Sequence, residues 1–173
     1  MRRAILLFLK YPEPGQVKTR LAATLGANEA AEIYRHLTAA VCASLPPDAT
    51  PLILFDPPDR HDEIARWLAT LDVRSELIPQ ASGNLTARLT AAFAHAFSLG
   101  YDAVAAIGSD CIDLNAGTFA ETWAALASAD VVLGPTFDGG YYLIALRRFH
   151  PALFDRISWS TASVLEETPA RAP

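Results

Sequence analysis

The chain has 173 residues, 51% of them hydrophobic and 19% charged, with a formal net charge of -5. That length suits one domain with a continuous core. The acidic balance and the absence of any basic run argue against a nucleic-acid or anionic membrane partner, so an anionic ligand has to be met by local groups. The first apolar stretch, residues 4–9, is too short to span a bilayer or to act as a secretion signal, and the expected location is the cytoplasm. Cys42 and Cys111 lack disulfide, metal or redox spacing and read as reduced thiols.

In chain order, residues 3–9 form an apolar run that ends in Tyr11-Pro12-Glu13-Pro14-Gly15, the pattern of a buried strand opening into a loop. Helical spacing of Ile33, Leu37, Ala40 and Val41 predicts a helix over 28–44, stopped by Pro46-Pro47. A strand at 51–55, a helix at 60–71 and a strand at 73–78 follow. Leu85, Leu89, Phe93 and Phe97 recur every four residues, predicting a helix over 84–99 capped by Asn84 and closed by Gly100. Next come a strand at 103–107, a helix at 116–128, and short strands at 131–133 and 142–146 around a Gly/Pro-rich connection. Such alternation predicts a mostly parallel sheet covered on both faces, with ligands beyond the carboxyl ends of the strands.

Three loops therefore carry the candidate chemistry. The first contains Lys10 and Lys18, the only lysines among fourteen basic residues. Gly15 suits close backbone approach to an anion, and Lys18 and Arg20 are phosphate donors. Neither a Walker A pattern nor a dinucleotide fingerprint fits, and a solvated turn is the plain alternative. The second loop is Gly108-Ser109-Asp110-Cys111-Ile112-Asp113-Leu114, where Asp110 stands at a strand end and suits a hard cation shared with phosphate oxygens. Asp113 is either a second ligand or a helix cap near Asn115. Cys111 lacks a neighbouring histidine, which disfavours a nucleophilic role, and the four histidines show no zinc spacing. In the third loop, Gly134-Pro135-Thr136-Phe137-Asp138-Gly139-Gly140-Tyr141-Tyr142, Asp138 offers a carboxylate and the paired glycines allow close approach. A plain Asp-Gly hairpin turn explains the same residues. Arg88, on the helix after the third strand, either reaches phosphate or is surface charge.

Taken together, Lys-x-Pro-x-Pro-Gly-x-Val-Lys-Thr-Arg-Leu, Gly-Ser-Asp-Cys-x-Asp-Leu, Gly-Pro-x-x-Asp-Gly-Gly-Tyr-Tyr-Leu and Trp-Ser-Thr, in that order, resemble a known family. Over residues 4–168 the chain is similar to the small bacterial nucleotide-diphospho-sugar transferase-like proteins, also described as DUF2064 or radical-SAM/selenodomain-associated transferase 1 and, in some lineages, as arsenosugar-biosynthesis glycosyltransferases. The resemblance implies a GT-A-like three-layer α/β/α sandwich and a nucleotide held by Gly15, Lys18 and Arg20, to which the residues themselves add Thr19 and Arg88 as candidate nucleotide contacts. It further implies Mg²⁺ or Mn²⁺ at Asp110 and an acceptor side formed by Asp138, Gly139, Gly140, Trp159, Ser160 and Thr161; read from the residues themselves, Asp113 is the candidate second metal ligand, Tyr141 a candidate substrate contact, and Asp110, Asp138 and Lys18 the expected catalytic groups. Ile112, Asn84 and Thr86 replace the family's usual proline, aspartate and glycine. Relatives carry a final strand and helix with an Asp-x-Asp-Thr-like segment, which is expected to be missing from this one-domain chain.

The reaction expected from these residues is glycosyl transfer from a nucleotide sugar to a small acceptor. A nucleotidyltransferase acting on an NTP and a phosphorylated small molecule is the first rival, and a non-catalytic nucleotide-binding module is the second. The donor base, the acceptor and the oligomeric state do not follow from the sequence.

Overall fold

The computed structural model describes residues 1–171. Its centre is a six-stranded sheet in the order β3-β2-β1-β4-β6-β5. These strands are β1 (Arg3–Lys10), β2 (Thr50–Asp56), β3 (Glu76–Pro79), β4 (Ala103–Gly108), β5 (Val131–Pro135) and β6 (Tyr141–Leu146). The first four run parallel, whereas β6 is antiparallel to both β4 and β5. The helices are α1 (Thr19–Leu25), α2 (Ala27–Ser44), α3 (His61–Ala69), α4 (Leu85–Ser98), α5 (Ala116–Ala125) and the single turn α6 (Val164–Glu167). This is the mixed α/β architecture with a mostly parallel sheet that the alternating pattern predicts.

Successive strand residues point to opposite faces, and this alternation builds two cores. Ile5, Leu7 and Leu9 of β1 join Ile53 and Phe55 of β2 under Val41 of α2, Ile64 and Leu68 of α3, and Phe119 and Trp123 of α5. Ala4 and Leu6 join Leu52, Leu54, Val104 and Ala106 under Leu89, Ala92 and Phe93 of α4 and under Phe154. Buried on both faces, β1 and β4 therefore read as unbroken apolar runs. The start of α4 is fixed as expected, because the Asn84 side chain accepts a hydrogen bond from the Ala87 amide at 3.0 Å.

Most element ends shift by one to three residues from the sequence reading, as where the helix expected over 116–128 ends at Ala125, and two departures have a clear structural cause. The strand expected at 73–78 begins only at Glu76, because Asp72 turns left-handed (φ 54°) and the Val73 amide donates back to Leu68 as α3 ends. The stretch before residue 28 is not all loop: residues 19–25 form α1, which buries none of its own residues and so carries no periodic apolar signal.

Candidate functional site

Beyond the carboxyl ends of β1 and β4 lie two open cavities, of about 530 and 730 Å³. Phe8, Arg20, Leu85 and Gly108 line both, so the cavities are neighbours sharing a wall. Each falls in the size range of small-molecule sites.

The larger cavity is built on the loop after β1. Val17 is buried against Ala31 and Tyr34 of α2, and this anchor pins the loop. Gly15 makes the turn with φ 82° but lines neither cavity, and a Cβ there would meet open space; its freedom serves chain direction. Lys18 follows in a left-handed conformation (φ 47°, ψ 44°) at the head of α1. Lys18, Thr19 and Arg20 all line the cavity, as do Lys10 and Arg88. Facing them is Asp110, two residues past the end of β4, whose Oδ2 is 2.5 Å from Lys18 Nζ.

Two residues that the sequence reading gave no role hold this frame together. Tyr34 reaches over from α2, accepting the Lys10 amide at 2.9 Å and sharing a 2.6 Å hydrogen bond with Ser109 Oγ, so its phenol ties the end of β1 to the end of β4. Burial pushes the Tyr34 hydroxyl above its usual range, which keeps it a neutral strut. Gln80 Nε2 donates to the carbonyls of Leu9 (3.1 Å) and Leu54 (2.9 Å), while its Oε1 accepts from Arg88 Nη1 at 3.0 Å. Asp56 Oδ2 lies 3.7 Å from the same Arg88 nitrogen. Arg88 is thus aimed at the cavity by partners at the ends of β2 and β3. A tyrosine within the apolar stripe of α2 was the one sequence signal for the first of these struts; the second depends on strand pairing.

Arg60 secures the loop from the β2 side, with Nη2 3.6 Å from Glu13 Oε1 and its guanidinium 5.2 Å from the Tyr11 ring centroid. Carboxylates on both sides raise its already high pKa, and it stays charged.

The smaller cavity is lined by Leu89, Ile144, Tyr141 and Trp159 with Asp138, Gly140, Ser160 and Thr161. Asp138 sits in a closed turn between β5 and β6. Its Oδ1 accepts from Thr136 Oγ1 (2.5 Å) and from the Gly140 amide (3.2 Å), and these bonds hold the carboxyl below the usual carboxylate range. Gly139 does not line the cavity; it seals the wall. A Cβ at this position (φ 83°) would lie 2.2 Å from the Ala162 carbonyl oxygen, and the Gly139 carbonyl accepts from the Leu165 amide at 2.9 Å. That backbone contact docks segment 158–165 against the Asp138 turn, and Ser160 lines the cavity with φ 64°. Glu167 braces the same segment by accepting from the Ser158 amide (2.8 Å) and from Ser163 Oγ (2.7 Å).

Asp113 lines neither cavity, and the cap of α5 is Asn115, whose Oδ1 accepts from Gly117 (2.9 Å) and Thr118 (3.2 Å). Among the described residues no group of three His, Cys, Asp or Glu side chains gathers as a metal cage. Asp110 supplies one exposed carboxylate, a donor set that suits a hard ion shared with ligand phosphates rather than a preformed ion site. Both cysteines are free thiols; burial pushes Cys42 up to about 11 and raises Cys111 as well, which removes thiolate chemistry from the site.

The model of the family described as uncharacterized proteins conserved in bacteria (DUF2064) matches residues 39–161. A crystal structure of a candidate nucleotide-diphospho-sugar transferase from Desulfovibrio desulfuricans G20 is 36% identical over 98% of this chain and 75% of that one, with a TM-score of 0.89. The chain belongs to the DUF2064 family and shares the fold of that transferase. No match was found among curated proteins. Among the described residues no helix is long and apolar enough to cross a membrane.

Proposed function

We propose that this protein is a glycosyltransferase that holds a nucleotide sugar with its diphosphate in the larger cavity and delivers the sugar to a small acceptor in the smaller one. The observation that carries the reading is the shared wall: Arg20 lines both cavities, with Lys18 and Arg88 on one side of it and Asp138 on the other. The candidate-transferase neighbour, 36% identical, supports the same class.

In this reading Lys18, Arg20 and Arg88 bind the diphosphate, and a leaving nucleoside diphosphate gains charge where these cations already stand. Asp110, paired with Lys18 here, would hold Mg²⁺ or Mn²⁺ bound together with the diphosphate. The ion would supply Lewis-acid neutralisation of the leaving group. Asp138, kept ionised by Thr136 and Gly140, accepts the proton of the attacking hydroxyl.

The test is ³¹P NMR of the protein with UDP-, GDP-, ADP-, CDP- and dTDP-sugars, and separately with NTPs, in Mg²⁺ or Mn²⁺. Release of a nucleoside diphosphate from a sugar nucleotide is the expected result. Pyrophosphate release from an NTP would replace the reading with nucleotidyl transfer, and nucleotide binding without turnover would leave a binding module.

A further inference from the structure

We infer that the acceptor carries no phosphate and presents an apolar or aromatic face beside its reacting hydroxyl. This rests on the two-cavity reading above and deepens it. Charge is divided unevenly between the two chambers. Lys10, Lys18, Arg20 and Arg88 line the larger cavity against Asp110 alone. In the smaller cavity Arg20 is the one basic residue among those described, it is shared with the diphosphate side, and Asp138 opposes it. A phosphorylated acceptor would bring a second dianion to a chamber whose single cation is already engaged and whose own carboxylate is held ionised.

What the smaller cavity offers instead is surface. Leu85, Leu89, Ile144, Tyr141 and Trp159 form its apolar lining. The Trp159 indole is fixed in place: Nε1 donates to Thr86 Oγ1 at 2.8 Å, and Thr86 Oγ1 uses its own hydrogen on the Phe154 carbonyl at 3.0 Å. With its polar edge satisfied inside the protein, the indole has only apolar surface to give a ligand. Tyr141 stands edge-on to it, with ring centroids 6.3 Å apart and an interplanar angle of 77°. Asp138, Ser160 and Thr161 also line this cavity and suit hydroxyls.

Saturation-transfer NMR titrations with phenyl β-D-glucopyranoside and glucose 6-phosphate, with and without a saturating nucleoside diphosphate, test this inference. Phenyl glucoside is expected to receive saturation chiefly on its aromatic protons, to keep binding when the diphosphate is present, and to lose about fivefold in affinity in Trp159→Ala, the scale of one aromatic contact. Should that variant melt early, Trp159→Leu refills the core and still removes the aromatic face, with the same loss expected. Glucose 6-phosphate is expected to bind only where the diphosphate displaces it. Glucose 6-phosphate binding alongside the diphosphate and weakened in Trp159→Ala would overturn the inference, as would phenyl glucoside affinity that is absent or indifferent to both Trp159 variants. Thermal shifts with nucleoside diphosphates in the same samples keep the two readings apart: their failure removes the donor site, whereas glucoside failure with intact shifts removes only the acceptor class.

Discussion

Lys18 is a non-glycine residue held left-handed, a conformation that costs an L-residue about 1–2 kcal/mol, and its ammonium pairs with Asp110 in the wall of the larger cavity. Strain of this kind persists where surrounding structure enforces it, and such positions cluster at functional sites. Lys18→Gly relieves the backbone and removes the cation, so it should leave the melting temperature within a few degrees while weakening nucleoside diphosphate binding roughly 10- to 100-fold, as read by calorimetry. A structural role alone would show the reverse pattern, lost stability with kept affinity. Asp138 gives a pH prediction. Its pKa is lowered, so the carboxylate survives as pH falls past the ordinary value of 3.8 and protonates only below it. Thr136→Val removes the stronger of the two hydrogen bonds and moves the acid limb of the turnover profile upward; an unmoved limb would remove Asp138 as the titrating base.

Among the elements, the turn between β5 and β6 is the joint on which the smaller cavity depends. Gly139→Ala combines a left-handed φ with a 2.2 Å approach to the Ala162 oxygen, so segment 158–165 must lift away. The variant should lose phenyl glucoside binding yet keep its thermal response to nucleoside diphosphates, a split that two-ligand titration reads directly. Equal losses of both would mean the cavities are not separable. At this scale the sequence was informative where one element's own pattern decided the outcome. The four-residue repeat of Leu85, Leu89, Phe93 and Phe97 and the Asn84 cap were legible because both signals are local. Helix α1 was not, since its seven residues bury nothing, and Asp113 was open between cap and ligand because Asn115 two positions on satisfies the cap equally well. The Tyr34 and Gln80 struts were illegible for a different reason: they tie strand ends 24 to 75 positions away, which become neighbours only through strand pairing.

For the whole molecule, the core predicts its own weak points. Phe93 is fully buried and stacks on Phe154, with ring centroids 5.4 Å apart. Phe93→Ala should cost about 3–5 kcal/mol in urea unfolding. An effect below 1 kcal/mol would contradict the packing of α4 on the sheet. The alternation of elements showed a mostly parallel sheet in the sequence, yet the strand order and the antiparallel insertion of β6 between β4 and β5 were beyond it, because pairing partners are set by long-range contacts. Insertion of β6 brings Asp138 and Tyr141 into the cavity that Arg20 also lines. The net charge of -5 likewise concealed a local concentration of cations in the larger cavity.

The measurement that bears most directly on the two-cavity account is thermal stabilisation by a nucleoside diphosphate against its parent nucleoside, with and without Mg²⁺ or Mn²⁺, in the native protein and in Asp110→Asn. At 100-fold its Kd, a ligand of the folded state contributes about 2.7 kcal/mol, roughly 5–10 °C for a chain of this size. The account predicts a shift of that order for one diphosphate with metal, a smaller shift for its nucleoside, and loss of the metal increment in Asp110→Asn. Equal shifts for nucleoside and diphosphate, or a metal increment unchanged by Asp110→Asn, would contradict it.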